Sequence, residues 1–309
     1  MRDFKKSDGL LCQRKPLRFQ FVEDNHELWP VSITCQVLKV SRSAFYKWRA
    51  AKGQPEAPAQ VKRQTLLNKI TIIRRLPNMD NYGSLRMHRQ LLKEHVKCAR
   101  NTVAKIMKQA GFRSASVRKF RPTTTNSNHS LPVAPNRIGR QFVAPKPNQV
   151  WLTDFTYIPT REGFTYLCAV EDLCSRRIVG WATSRSIDAN LALEALNQAI
   201  ALRVPDKGLI VHSDRGSQFA SNAYRERLES RSCLQSMSRK ADCYDNAPME
   251  SFFKSFKAEE VYRKEYQSHE HATQNVVDYI DRFYNPIRLH SSLDYVSPIE
   301  HEGRLAAST

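Results

Sequence analysis

Three acidic residues stand among apolar neighbours, where an ionised carboxylate is expensive to bury unpaired. Asp154 falls mid-run in V-W-L-T-D-F-T-Y-I (150–158), Asp214 ends L-I-V-H-S-D (209–214), and Glu250 opens a helical pattern behind Pro248-Met249. Singly, each has an ordinary explanation: a hydrogen-bonded strand-edge residue, a turn or cap before Gly216, and an acid favoured by the helix dipole in a first turn. Jointly they are three hard oxygen ligands with no His or Cys among them, a donor set for Mg2+ or Mn2+ rather than zinc. Two such ions about 3.5 to 4 Å apart can hold the attacking and the leaving oxygen of an in-line displacement, so the expected chemistry is cleavage or transfer at a phosphodiester. No thiolate centre is expected. The seven cysteines (Cys12, Cys35, Cys98, Cys168, Cys174, Cys233 and Cys243) are odd in number and scattered without a Cys-x-x-Cys pair, and read as reduced thiols. His88 and His95, and His269 and His271, have no Cys at finger spacing, so no structural zinc is predicted.

Something must bring the three acids together. After V-W-L-T-D-F-T-Y-I comes a turn at Pro159 to Gly163, then F-T-Y-L-C-A-V, a turn around Asp172 to Arg176, and R-I-V-G-W-A-T, which reads as an antiparallel meander. A helix follows over Asn190 to Arg203, then the strand that Asp214 ends, a helix over Ser221 to Ser230, the short segment C-L-Q-S-M-S, and a long amphipathic helix from about Asn246. The order β-β-β-α-β-α-β-α predicts an α/β mixed sheet with helices packed on it. Adjacent strands would set Asp154 beside Asp214, and a helix crossing that sheet edge would deliver Glu250.

The chain has 309 residues and a formal net charge of +19, with 41% hydrophobic residues, enough for a real core. Residues 1–120 carry 26 Lys+Arg against 8 Asp+Glu, and residues 121–309 carry 23 against 22. An excess confined to one end points to a polyanion partner, nucleic acid first. Within it, V-S-I-T-C-Q-V-L-K-V-S-R-S-A-F-Y-K-W (31–48) predicts a helix with Val31, Cys35 and Leu38 on one face, a tight turn, and a helix capped by Ser41 with Ala44, Phe45 and Trp48 inward. Arg42, Ser43, Tyr46 and Lys47 would then face a major groove as in a helix-turn-helix. A Pro-containing break (Gly53 to Pro58) precedes a second hairpin. One helix starts near Ser84, and another is capped by Asn101 with Val103, Ile106, Met107 and Ala110 recurring until Gly111, leaving Arg86, Arg89, Lys93, Arg100, Lys105 and Lys108 exposed. Residues 121–149 hold five prolines and no period, and read as a linker or extended arm. No stretch is long and apolar enough for a membrane span or a signal peptide, so a cytoplasmic protein is expected.

The blocks W-L-T-D-F-T-Y-I, H-S-D-R-G-S-Q-F and D-N-A-P-M-E-S-F-F-K-S-F-K closely resemble the integrase core of the insertion-sequence family-three (IS3-like) transposases, the OrfB product, relatives of retroviral integrases. The 35 residues between Asp214 and Glu250 match the interval of that family's D-D-(35)-E pattern. Y-N-P-I-R-L-H-S-S-L-D-Y-V-S-P-I-E (284–300) is similar to its C-terminal block, and Y-G-S-L-R-M-H-R-Q-L (82–91) lies where it has a helix-turn-helix. The resemblance spans about residues 30–300 and implies a ribonuclease-H-like catalytic core preceded by all-α helix-turn-helix regions. The implied divisions are 1–58 and 59–120 for two DNA-binding regions, 121–149 for the linker, 150–265 for the core, and 266–309 for a C-terminal helical segment and tail. It implies that Asp154, Asp214 and Glu250 are the metal-binding catalytic triad of a divalent-metal-dependent transposase that cleaves element ends and transfers strands, with Mg2+ bound or Mn2+ in its place. Lys257, seven residues after Glu250, matches a basic position that contacts the element end, with Lys254 a second candidate; Asp172, Asp242 and Asp245 match no ligand position. Implied partners are double-stranded DNA, an upstream OrfA protein or an OrfA-OrfB fusion, and further copies of the chain on DNA. The retroviral His/Cys zinc domain has no counterpart, and no heptad run is present for multimerisation. The competing reading is a catalytically silent, transposase-derived DNA-binding regulator, against which the presence of all three acids speaks.

Overall fold

The computed structural model describes residues 13–52, 58–114, 130–239 and 243–308. Residues 53–57 of the expected break, 121–129 of the expected linker, and Asp242 lie outside the described residues. The chain divides into two compact units, Met1–Thr65 and Leu66–Thr309.

In the smaller unit, helices α1 (Lys15–Asp24), α2 (Val31–Val37) and α3 (Arg42–Ala51) close on Phe19, Val22, Cys35, Leu38 and Phe45. Lys39 takes a positive φ of 50° in the turn between α2 and α3, and Ser41 Oγ caps α3 by accepting from Ala44 N at 3.4 Å. Ala44 itself is exposed, against expectation. The inward arc of α3 is taken by Phe45 and Trp48, whose rings lie 6.2 and 5.8 Å from that of Phe19.

Helix α4 (Pro58–Arg75) buries Leu66, Ile70 and Ile73 in the larger unit. Helices α5 (Ser84–Lys93) and α6 (Arg100–Gln109) form the second hairpin and bury Met87, Leu91, Val103, Ile106 and Met107 in that core. The N-cap of α6 is Ala99, so Asn101 is an exposed first-turn residue and not the cap; Ala110, the exposed C-cap, drops out of the apolar repeat.

Five strands, β1 (Val150–Thr160), β2 (Gly163–Asp172), β3 (Ile178–Ser184), β4 (Ile210–Ser213) and β5 (Leu234–Met237), form one sheet in the order β3-β2-β1-β4-β5. The first three are the antiparallel meander, and β4 and β5 run parallel to β1 and to each other. Residues alternate between the faces of β1. Trp151 and Phe155 join the core made by α7 (Ala189–Arg203), a single turn α8 (Ser217–Ala220) and α9 (Asn222–Glu229). Leu152 and Ile158 join the opposite core with Met249, Phe252, Phe253 and Phe256 of α10 (Ala247–Glu259). Helix α7 approaches β3 so closely that a Cβ on Gly180 would run into the Ala195 carbonyl and Ala199.

Two expected boundaries are not boundaries between compact units. Residues 130–149 form no helix or strand, but they are no free arm either: Ile138 and Ala144 are buried in the core, and Arg137 N and Nε donate to Ser236 Oγ (2.9 Å) and Gln235 O (3.2 Å) along β5. The C-terminal stretch, α11 (His269–Tyr279), a π-helical turn (Ile280–Tyr284) and α12 (Pro298–Ala307), is equally part of this unit. Tyr279, Ile280 and Phe283 sit in the core with the α10 phenylalanines, and the Asn285 amide brackets β3 by bonding both N and O of Ile178 at 2.9 Å.

Candidate active site

Alternation along β1 gives Asp154 the parity of Leu152 and Ile158, so it faces the α10 side of the sheet. The parallel ladder pairs Leu152 with His212. Carried two residues further, that register sets Asp214 level with Asp154. Asp214 follows the last residue of β4, and its Oδ1 accepts from Gly216 N at 2.9 Å; a Cβ at residue 216 would stand 3.0 Å from the same oxygen. Glu250 is exposed in the first turn of α10, which Pro248 helps to start because its fixed φ suits a helix N-terminus.

Electrostatics ties the three together. Burial pushes the Asp154 carboxyl well above the ordinary carboxylate range, the charge of Asp214 adds to this and Glu250 adds further, while a hydrogen bond from Phe155 N (2.7 Å) and the charge of Lys257 act the other way. Lys257 is half-buried on the inner side of α10, its Nζ 4.0 Å from the centre of the Tyr157 ring. Its desolvation lowers its proton affinity, and Asp154 partly restores it. The two strands and α10 thus bring the acids within reach of one another's fields, with an ammonium among them.

Among the described residues no group of three His, Cys, Asp or Glu side chains is arranged to hold a metal ion as it stands. One oxygen of Asp154 and one of Asp214 accept from local backbone N–H groups, and Glu250 is exposed. The donor chemistry nonetheless fits a hard divalent cation, which would relieve the repulsion that raises Asp154.

Comparison with known proteins gives the family. Integrase core domain families match residues 144–243 and 250–304, and an HTH-like domain family matches residues 62–120. The chain is 39% identical over 265 residues to the insertion element IS600 31 kDa protein of Shigella sonnei, covering 85% of this chain and 95% of that one. It is 34% identical over 288 residues to the transposase InsF for insertion sequence IS3A of Escherichia coli (strain K12), covering 93% and 99%. The chain belongs to the IS3 family of transposases. Its sheet is the ribonuclease-H-like sheet of an integrase core, and it is a DDE-type polynucleotidyl transferase that acts on DNA. A solved chain of the simian T-cell lymphotropic virus intasome aligns with 71% of it, at 14% identity and a TM-score of 0.42. No described helix is long and apolar enough to cross a membrane.

The transposase places its candidate DNA contacts unevenly. Arg42 and Lys47 are exposed on α3, and Lys254 is exposed on α10 at a cleft of about 420 Å3 that Arg86, Ser114, Ser251 and Tyr295 also line. Arg89 is exposed over the Tyr295 ring (5.1 Å), with Asp294 at 3.9 Å. Arg86 departs from expectation: it is mostly buried, donating to Leu289 O (3.1 Å) and pairing with Glu259 Oε1 (3.4 Å). Glu259, at the far end of α10 from Glu250, also accepts two 2.7 Å bonds from the buried Arg288 and one of 2.9 Å from Tyr279 OH. Neither Glu259 nor Arg288 was expected to matter. The available signal was an arginine inside Y-N-P-I-R-L, where apolar neighbours require a buried partner.

Proposed function

We propose that Asp154, Asp214 and Glu250 are the catalytic acids of this transposase and together hold Mg2+, for which Mn2+ can substitute, in cleaving element ends and transferring strands. The observation that carries this is the β1–β4 register, which sets Asp214 level with Asp154 on the face of the sheet that α10 packs against. Bound there, the divalent ion supplies Lewis-acid polarisation of the phosphodiester and lowers the pKa of the attacking hydroxyl. The chain's own residues do the rest. On this reading the β1–β4 register holds the two aspartates level, α10 supplies Glu250 from its first turn, and the sheet keeps the aspartates in place for one phosphate. Lys257, held against Tyr157, and Lys254, one turn from Glu250, bind phosphates of the element end, and Arg42, Lys47 and Arg89 bind duplex DNA. Arg86 serves the fold and is not in this set.

The same reading has the transposase working in the cytoplasm, as several copies on DNA, with an upstream OrfA partner or fused to it. The test is a cleavage and strand-transfer assay with end-containing DNA on Asp154→Asn, Asp214→Asn and Glu250→Gln. Each should abolish both steps while duplex binding survives. Retained activity in any one removes that residue from the triad, and a wild type that binds ends without cutting them supports the regulator instead.

A further inference from the structure

The turn Cys243–Asn246 between β5 and α10 supplies none of the proposed ligands, yet two of its side chains are tied in opposite directions. The fully buried Asp245 carboxylate accepts from Arg239 N (2.9 Å), Nε (3.1 Å) and Nη2 (3.0 Å), from Arg140 Nε (2.9 Å) and from Asn136 Nδ2 (3.0 Å). Arg239 lies just past β5, and Asn136 and Arg140 belong to the segment running beside it, so this carboxylate fastens the turn to that edge of the sheet. Charge-assisted bonds of this kind are among the stronger ones available.

Asn246 pulls the other way. It occupies the N-cap position of α10, where an Asn side chain ordinarily accepts from its own helix, yet it makes no such bond. Its Nδ2 instead donates to Thr153 O at 3.2 Å, on the residue before Asp154. The residue is 4% exposed, and its Oδ1 has no partner. The helix thus gives up its cap to bind the strand that carries the first aspartate. Glu250 follows four residues later, about 6 Å along the axis at 1.5 Å per residue, so a shift of the turn is carried to Glu250 with little loss.

We propose that Asp245 and Asn246 are positioning residues that form a two-armed clamp, one arm on the β5 edge and one on β1, setting the place of Glu250 opposite Asp154 and Asp214. This rests on the triad reading above. Because Asp245 and Asn246 are buried, the clamp governs turnover and leaves end binding alone.

The test uses the full chain with Asp245→Asn, Asn246→Ala and the milder Arg140→Gln, which loosens one arm should Asp245→Asn fail to fold. End-DNA affinity in EDTA and KM should stay within about twofold of wild type while kcat falls about 10- to 100-fold, the scale of an ångström-sized misplacement. The rise in melting temperature that Mg2+ gives the wild type should shrink in each variant, a readout independent of turnover. Asp245→Asn and Asn246→Ala proteins that cleave within about twofold of wild type overturn the clamp, as do variants that lose activity only by unfolding and keep the full Mg2+ shift. A wild type that neither cleaves nor gains stability with Mg2+ overturns the triad reading and the clamp with it.

Discussion

Helices α3 and α5 each carry an arginine in the first turn, and the two are used in opposite ways. Arg42 opens α3 beside Ser41, Ser43 and Tyr46 on an exposed face of a unit in which five of the described side chains are buried as a core. Arg86, the third residue of α5, turns inward to Glu259, a carboxylate 173 residues away in the chain. The difference is a neighbour and not a local pattern. Outer-face charge on an amphipathic helix can serve a nucleic acid only while no acid from elsewhere closes on it, and in α5 the end of α10 does so. The second hairpin is thereby joined to α10 by the Arg86–Glu259 ion pair as well as by core packing, and the Asn81 amide, just before the hairpin, adds a 3.0 Å bond to Glu259 O.

The comparison is broken most severely at Arg288. Arg288 and Glu259 have side chains 2% and 8% exposed, and removing one member leaves the other buried and uncompensated, at a cost of about 3 to 5 kcal/mol. Burial works against ionised Glu259, but Arg288, Arg86 and the Tyr279 hydroxyl outweigh it and hold the carboxyl below its usual range. Arg288→Ala should therefore unfold at markedly lower urea; a loss under about 1 kcal/mol would make the network incidental. Arg86→Ala comes next, at about 1 to 3 kcal/mol for stranding part of Glu259, whereas Arg42→Ala should stay within about 0.5 kcal/mol of wild type. Equal losses in the two arginine variants, measured by the same urea titration, would erase the distinction drawn here.

Much of the sheet is legible in the sequence because strand alternation and turn residues are local signals: β1 to β3, the helix from Ala189 and the strand that Asp214 follows all stand where the pattern puts them. Asp154 and Asp214 share a register because parallel strands of one sheet have little freedom to differ. What was illegible is long-range. Ion pairs such as Arg86 with Glu259 leave no periodic trace, and the proline-rich segment 130–149 is held by hydrogen bonds from individual side chains rather than by a repeating pattern. Asp245 looked like one more turn acid because, although Arg239 is only six residues away, Arg140 and Asn136 reach it from 105 and 109 residues away in the chain. The same limit explains the misplaced cap of α6, where Ala99, a poor capping residue, precedes the helix.

The DNA side of the comparison predicts a smaller effect. Arg42→Ala or Lys47→Ala in the full chain should weaken duplex binding without touching stability. If Lys47 meets a phosphate, its loss should reduce the slope of log affinity against log salt by about 1, equally for all sequences; if Arg42 reads a base, its loss should cost about 1 to 3 kcal/mol and relax specificity at one position. Arg86→Ala, assayed under conditions where it remains folded, should leave the salt slope unchanged. A slope reduced by Arg86→Ala and unmoved by Lys47→Ala would reverse the assignment of the two hairpins.

The smallest effect concerns what so many buried cations do to a neighbour. His290 is pushed down to about 3, first by burial and then by the charges of Arg288, Arg176 and Arg86, and as a neutral ring its Nδ1 accepts from Ser292 Oγ at 2.8 Å. A histidine whose folded pKa lies below its unfolded value of 6.5 binds fewer protons folded than unfolded, so its contribution to stability is present near neutrality and is lost as pH falls from about 6.5 toward 3. Glu171, pushed up to about 7 by burial, and Asp154, raised well above the ordinary range, slope the opposite way in the same window, so the histidine contribution is read as the difference between variant and wild type. His212, set between Ser236 and Ser238 hydroxyls and held down to about 4, slopes the same way as His290. His290→Gln should therefore flatten, but not abolish, the loss of urea stability from pH 7 to pH 5, by about 1 kcal/mol. The flattening should shrink further in the Arg86→Ala background, since one of the three charges pressing on the ring is then gone. An unchanged slope in His290→Gln would mean that the ring is screened from the arginines, and that the Glu259 network is electrically closed on itself.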